Sequence, residues 1–180
     1  MRFTPTALPE VILVEPDVYK DGRGRFVETW HERKYREGGI PAAFVQDNES
    51  SSVKGTLRGL HSQRTRPQGK LVQVVSGRIF DVAVDLRRDS PTFRRWVGAT
   101  LTADGAEQLW VPPGFAHGFV VLSDAAEFLY KTTDYWYPEH ERTLLWNDPA
   151  LGIGWPLAGE PTLAAKDAAG KPLSLADTYA

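Results

Sequence analysis

The heptad LRGLHSQ, residues 57–63, carries one of only four histidines in the chain, His61, just ahead of a basic stretch that contains Arg64, Arg66 and Lys70. Imidazole is the side chain that takes up and returns protons near neutral pH. The cations close by in sequence, Arg58 and Lys70, disfavour its protonated form and so favour a neutral base. An isolated histidine in a strand-rich pattern is more often a structural residue with satisfied ring nitrogens, and it is these cations that move His61 toward chemistry. Lys70, Asp81 and Tyr130 supply the remaining parts for taking a proton, stabilising an oxyanion and returning a proton. Read by itself, Tyr130 is an ordinary core aromatic with a bonded hydroxyl. Trp136, between Tyr135 and Tyr137, reads as a surface aromatic cluster or as a platform on which a base stacks beside a basic pocket. Arg58, Arg64, Arg66 and Lys70 read as a solvated loop or as a grip for phosphates.

Other chemistries find little support. The chain has no cysteine, which removes disulfides, thiolate catalysis and thiolate metal sites. It has no His-x-His pair, and His31, His61, His117 and His140 are far apart, so the local spacing that argues for a metal is missing; a site made of His61, His117 and a carboxylate stays open. No Gly-x-Ser-x-Gly and no glycine-rich phosphate loop ahead of a helix is present. With 21 basic against 23 acidic residues and a net charge of -2, no global field recruits nucleic acid or an anionic membrane. The opening MRFTPTALPEVILVEPD lacks the apolar stretch of a signal peptide, and no apolar run is long enough for a bilayer, so a soluble, cytoplasmic protein is expected.

The elements that must position these side chains are strands. Short runs rich in Val, Ile, Phe, Thr and Trp recur between Gly, Pro and Asp turns: 71–75, 79–86, 96–101, 108–111, 119–122 and 127–136. Six strands at this spacing predict an all-β sandwich or barrel of jelly-roll type. In IFDVAVDL, Phe80, Val82, Val84 and Leu86 share one face while Asp81, Ala83 and Asp85 share the other, so the acidic face is expected to meet water. Residues 29–39 and the tail after Pro172 are expected to form short helices. Without repeats or linkers, residues 1–180 read as a single domain.

Eight segments in order, DGRGRFVETW (21–30), FVQDNESSSVKGTLRGLHSQ (44–63), QGKLVQVVSGRIFDVAVDLR (68–87), SPTF (90–93), LWVPPGFAHGF (109–119), EFLYKTTDYW (127–136), WNDPALGIGWP (146–156) and AAKDAAGKPL (164–173), resemble the dTDP-4-dehydrorhamnose 3,5-epimerase family. The resemblance implies a metal-free, cofactor-free cupin-type jelly roll with a few short peripheral helices, usually a homodimer. It implies a dTDP-linked 4-keto-6-deoxyglucose as substrate, inverted at C3 and C5 on the way to dTDP-L-rhamnose. By the same resemblance His61 matches the base, Asp167 the carboxylate that holds its tautomer, Tyr130 the acid on the opposite ring face, and Lys70 the cation near the enolate oxygen. Arg23, Glu28, Gln46, Asp47, Asn48, Arg58, His117, Glu141 and Lys166 match nucleotide- or sugar-contacting positions, with Arg23 and Glu28 expected to reach the partner's site. Trp136 stands at the thymine-stacking position, where Tyr is common. Ser62 stands where an aromatic is usual, and the loop RTRPQ after it is shorter by a residue.

Three alternatives follow from the same residues: an epimerase acting at C3 or C5 alone, a non-catalytic sugar-nucleotide-binding cupin, and a metal-dependent cupin.

Overall fold

The computed structural model describes residues 1–180. Thirteen strands and two short helices follow one another as β1 (Arg2–Pro5), β2 (Ile12–Glu15), β3 (Val18–Asp21), β4 (Gly24–Val27), α1 (Glu32–Glu37), β5 (Gln46–Val53), β6 (Leu57–Gln63), β7 (Lys70–Ser76), β8 (Arg78–Asp85), β9 (Trp96–Thr102), β10 (Gln108–Val111), β11 (Phe115–Val121), β12 (Ala125–Thr132), β13 (Glu141–Thr143) and α2 (Ala165–Ala168). A six-stranded sheet, β1-β2-β10-β7-β12-β5, faces a five-stranded sheet, β13-β6-β11-β8-β9, and every pairing is antiparallel. This is the cupin-type jelly roll, built as two open sheets.

Period-two alternation makes the sandwich: Val72 and Val74 of β7, Ile79 and Ala83 of β8, Phe119 of β11 and Phe128 of β12 all meet in the core between the sheets. The opposite face of β8, with Val82, Val84 and Leu86, is covered by Leu144, Leu151 and Leu173 of the C-terminal stretch. The acidic face, which shares its side of the strand with the core residue Ala83, is not wet as expected. Asp81 and Asp85 point into the sandwich and are fully buried. Burial of a carboxylate requires partners, and Asp85 finds them in Arg87, Ser90 and Thr92, at 2.8, 2.5 and 2.7 Å.

Other boundaries shift for local reasons. The helix expected over 29–39 covers only Glu32–Glu37, because Trp30 packs into a third cluster with Tyr35 and Phe44 while the Thr29 carbonyl accepts from the Tyr35 hydroxyl at 2.9 Å. The tail forms one 3-10 turn, Leu173–Leu175, and the four-residue α2 was unexpected. The strand expected through 127–136 stops at Thr132, where its hydroxyl donates to the Asp134 carbonyl at 2.8 Å and the chain bends. The β3–β4 hairpin pairs with no other strand and leaves Tyr19 and Phe26 exposed, their rings 6.5 Å apart. No helix is long and apolar enough to cross a membrane.

Candidate active site

A cavity of about 340 Å³ opens between the two sheets, lined by inward residues of both. From the five-stranded sheet come His61 of β6 and His117 of β11, direct register partners. Strict alternation would point Arg58 and His61, three residues apart, to opposite faces. The register slips between them: the three steps from 58 to 61 on β6 span the two steps from 117 to 119 on β11, and both side chains end up lining the cavity. The slip needs glycine on both strands. A Cβ on Gly59, whose φ is +122, would lie 2.6 Å from the Gly118 Cα, and one on Gly118 would lie 2.7 Å from the Arg58 carbonyl oxygen.

His61 Nε2 lies 2.5 Å from Asp167 Oδ1, a carboxylate carried by α2 and almost wholly buried. A carboxylate accepts, so Nε2 donates and Nδ1 keeps the lone pair. Burial is the main reason that the imidazole titrates below its ordinary value; Asp167 opposes the shift, and Lys70 and Lys166 add to it. The expected direction holds, but desolvation leads, and Lys166 rather than Arg58 joins Lys70 as the contributing cation.

The six-stranded sheet supplies Lys70 and Tyr130. Lys70 pairs with Thr132 in the β7–β12 register and Tyr130 with Val72, which places both on one inner surface, across the cavity from His61. Burial pushes the Lys70 ammonium down to about 8, against the pull of Glu141 and Asp81 and with Lys166 adding to the shift. Burial and then Glu141 push the Tyr130 hydroxyl up, opposed by Arg58, so it stays protonated at neutral pH. Beside them Phe119 of β11 and Phe128 of β12 stack across the gap between sheets, centroids 4.3 Å apart, and Phe128 leans on Tyr130 at 5.4 Å.

Of the other expected residues, Gln46, Asn48, Arg58, His117, Trp136, Glu141 and Lys166 all line the cavity. Arg58 Nε donates to Ser52 Oγ at 2.9 Å, and Lys166 Nζ to Glu141 Oε1 at 2.9 Å. Three lie elsewhere. Strand alternation turns Asp47 to the outer face, where it pairs with Lys131 at 2.8 Å. Arg23 sits on the exposed β3–β4 hairpin bonded to Asp21, and Glu28 pairs with Lys34. Arg64 and Arg66 also stay out of the cavity: Arg66 forks onto Asp134 at 2.8 Å, and Arg64 faces Asp177.

Sequence reasoning missed the partner of His117. Its Nε2 meets both carboxylate oxygens of Asp81, at 3.0 and 2.9 Å, and burial is what raises that carboxyl's pKa, against His117 and Lys70. The signal was present in IFDVAVDL, on a face read as wet. Two histidines adjacent across the strands are thus each committed to a carboxylate of their own, and no three His, Asp or Glu side chains are grouped so as to hold a metal ion. Ser62 is nearly buried and lines a second cavity of about 300 Å³, with Leu86, Leu144 and Ala176, while also bordering the first.

The chain as a whole has known relatives. The family model described as dTDP-4-dehydrorhamnose 3,5-epimerase matches residues 5–174. The chain is 57% identical over 180 residues to the dTDP-4-dehydrorhamnose 3,5-epimerase of Pseudomonas aeruginosa, covering 99% of each. Among solved structures it is similar to the dTDP-6-deoxy-D-glucose-3,5-epimerase of Legionella pneumophila in complex with dTDP-4-keto-L-rhamnose, with a TM-score of 0.95, 50% identity, and 98% and 94% of the two chains covered. It is also similar, with a TM-score of 0.89, 31% identity, and 94% and 87% covered, to a 3'-monoepimerase from Streptomyces bikiniensis in complex with dTDP-quinovose. Agreement of sequence over nearly the whole length and of fold has one reading: the chain belongs to the dTDP-4-dehydrorhamnose 3,5-epimerase family.

Proposed function

We propose that this protein is the isomerase that inverts C3 and C5 of dTDP-4-dehydro-6-deoxy-D-glucose, giving dTDP-4-dehydro-L-rhamnose for dTDP-L-rhamnose synthesis. The observation that carries the reading is the opposition of His61 on one sheet to Tyr130 and Lys70 on the other, across a single cavity. The C4 ketone acidifies the hydrogens on C3 and C5. His61 Nδ1 takes one of them, the C–H electron pair moves onto the C4 oxygen as an enolate, and the Lys70 ammonium stabilises that charge. Tyr130 then gives its proton to the same carbon from the opposite ring face as the enolate electrons return, which inverts the centre. Solvent reloads Tyr130 and takes the proton from His61, and a second round inverts the other carbon. Asp167 holds the imidazole with Nε2 occupied and Nδ1 free for the sugar.

In the same reading Trp136 stacks on the thymine, while Arg58, His117 and Lys166 hold the nucleotide and sugar polar groups. The enzyme works in the cytoplasm as a homodimer. The unpaired β3–β4 hairpin with its two exposed aromatics supports the dimer, since it carries Arg23 away from the chain's own cavity.

Turnover of the 4-keto sugar nucleotide in D₂O tests the reaction. Deuterium is expected at both C3 and C5, and His61→Ala is expected to lose both labels while still binding dTDP. Label at one carbon alone would mark a single-site epimerase, and no label in the wild type would leave only a binding protein.

A further inference from the structure

Gln63 lies two residues beyond His61 on β6, borders the same cavity and is 3% exposed. Its amide is spent on backbone. Nε2 donates to the Arg66 carbonyl at 2.8 Å and to the Tyr135 carbonyl at 3.1 Å, and Oε1 accepts from the Tyr137 N–H at 2.7 Å. The residue bracketed by the last two bonds is Trp136. Trp136's own N–H donates to Gln46 Oε1 at 3.0 Å. Three consecutive backbone groups, 135 to 137, are therefore pinned by two glutamines, one from each sheet, and the indole between them is held 53% exposed at the cavity mouth.

An amide is the one neutral side chain that offers two donors and an acceptor in one plane. Leucine fills similar space but leaves all three backbone groups without their partner, and glutamate keeps the bond from Tyr137 while losing both donors. We propose that Gln63 is a positioning residue that sets the Trp136 platform, and that it governs affinity for the nucleotide half of the substrate without taking part in proton transfer at His61. The inference rests on the reading of Trp136 as the surface on which the base stacks.

The test compares the full-length wild type with Gln63→Leu, Gln63→Glu and Trp136→Ala, measuring dTDP affinity by calorimetry together with KM and kcat for the 4-keto sugar nucleotide. Gln63→Leu is expected to weaken dTDP binding about tenfold and to raise KM in step, while kcat stays within about threefold. Gln63→Glu is expected to fall between Gln63→Leu and the wild type, and it decides the matter if the leucine variant does not fold. A fall in kcat at unchanged KM overturns the proposal, because Gln63 would then act on the chemistry. So does wild-type dTDP affinity in both Gln63 variants when Trp136→Ala binds weakly. If Trp136→Ala binds dTDP as the wild type does, the stacking reading itself fails, and Gln63 fails as its support.

Discussion

In the proposed mechanism Lys70 and His61 bound the pH range in which the site can work, from opposite sides. His61 must be neutral to accept a proton, and its depressed value puts that limit below the ordinary 6.5. Lys70 must be charged to hold an enolate, and its cation is present below about 8 and lost above it. The expected profile of kcat/KM is a bell with its alkaline limb near pH 8. Lys70→Arg should carry that limb beyond about pH 10, because a guanidinium stays charged there; an unmoved limb would assign it to another group. The sign for stability follows from the same burial. A lysine whose pKa is lower folded than unfolded weakens the fold wherever it is charged, so Lys70→Met should abolish turnover yet raise Tm by a few degrees at pH 7. His61 and Lys70 were legible by type and neighbourhood. Asp167 was not: it lies 106 residues from His61, and only resemblance pointed to it.

The turn of β6 at Gly59 decides whether Arg58 and His61 share a face. Gly59→Ala places a Cβ 2.7 Å from the His117 carbonyl oxygen, at a φ that L residues resist. A Tm loss of about 5–10 °C is expected by thermal unfolding, with kcat reduced because His61 is turned from the cavity. A variant with full kcat would mean that the slip in register is not what aims the base. The elements that build the site were also the hardest to read. β5, QDNESSSV, gave no strand signal, because it lines a wet cavity with Gln46, Asn48 and Ser50, and its outer face carries Asp47. Strands such as 71–75 and 108–111 were legible because a dry core demands apolar alternation. A functional cavity removes that demand where it matters. The C-terminal strap was missed for a different reason. Asp177 bonds Arg142 at 2.6 Å and the Tyr179 hydroxyl bonds the Gln63 carbonyl at 2.5 Å, contacts that no local pattern announces.

Across the whole molecule, the proposed dimer has a quantitative signature. If Arg23 completes the partner's site, a hybrid of an Arg23→Ala chain with a His61→Ala chain has one intact site and one that carries both changes. Mixing the two inactive proteins in equal amounts, with subunit exchange, should restore about a quarter of wild-type activity. A mixture as dead as its components would show that each site is complete within one chain. Fold class was legible at this scale from strand spacing and turn chemistry alone, whereas the covering of β8 by the C-terminal stretch was not, since both faces of that strand turned out dry. The Phe119–Phe128 stack spans the two sheets, with Phe128 against Tyr130. In the proposed mechanism it serves as a spacer, an aromatic thickness that holds Tyr130 off the sheet carrying His61. Stereochemical fidelity then becomes a property of packing: shaving the spacer, as in Phe119→Leu, should let sugars leave with one centre inverted and the other untouched.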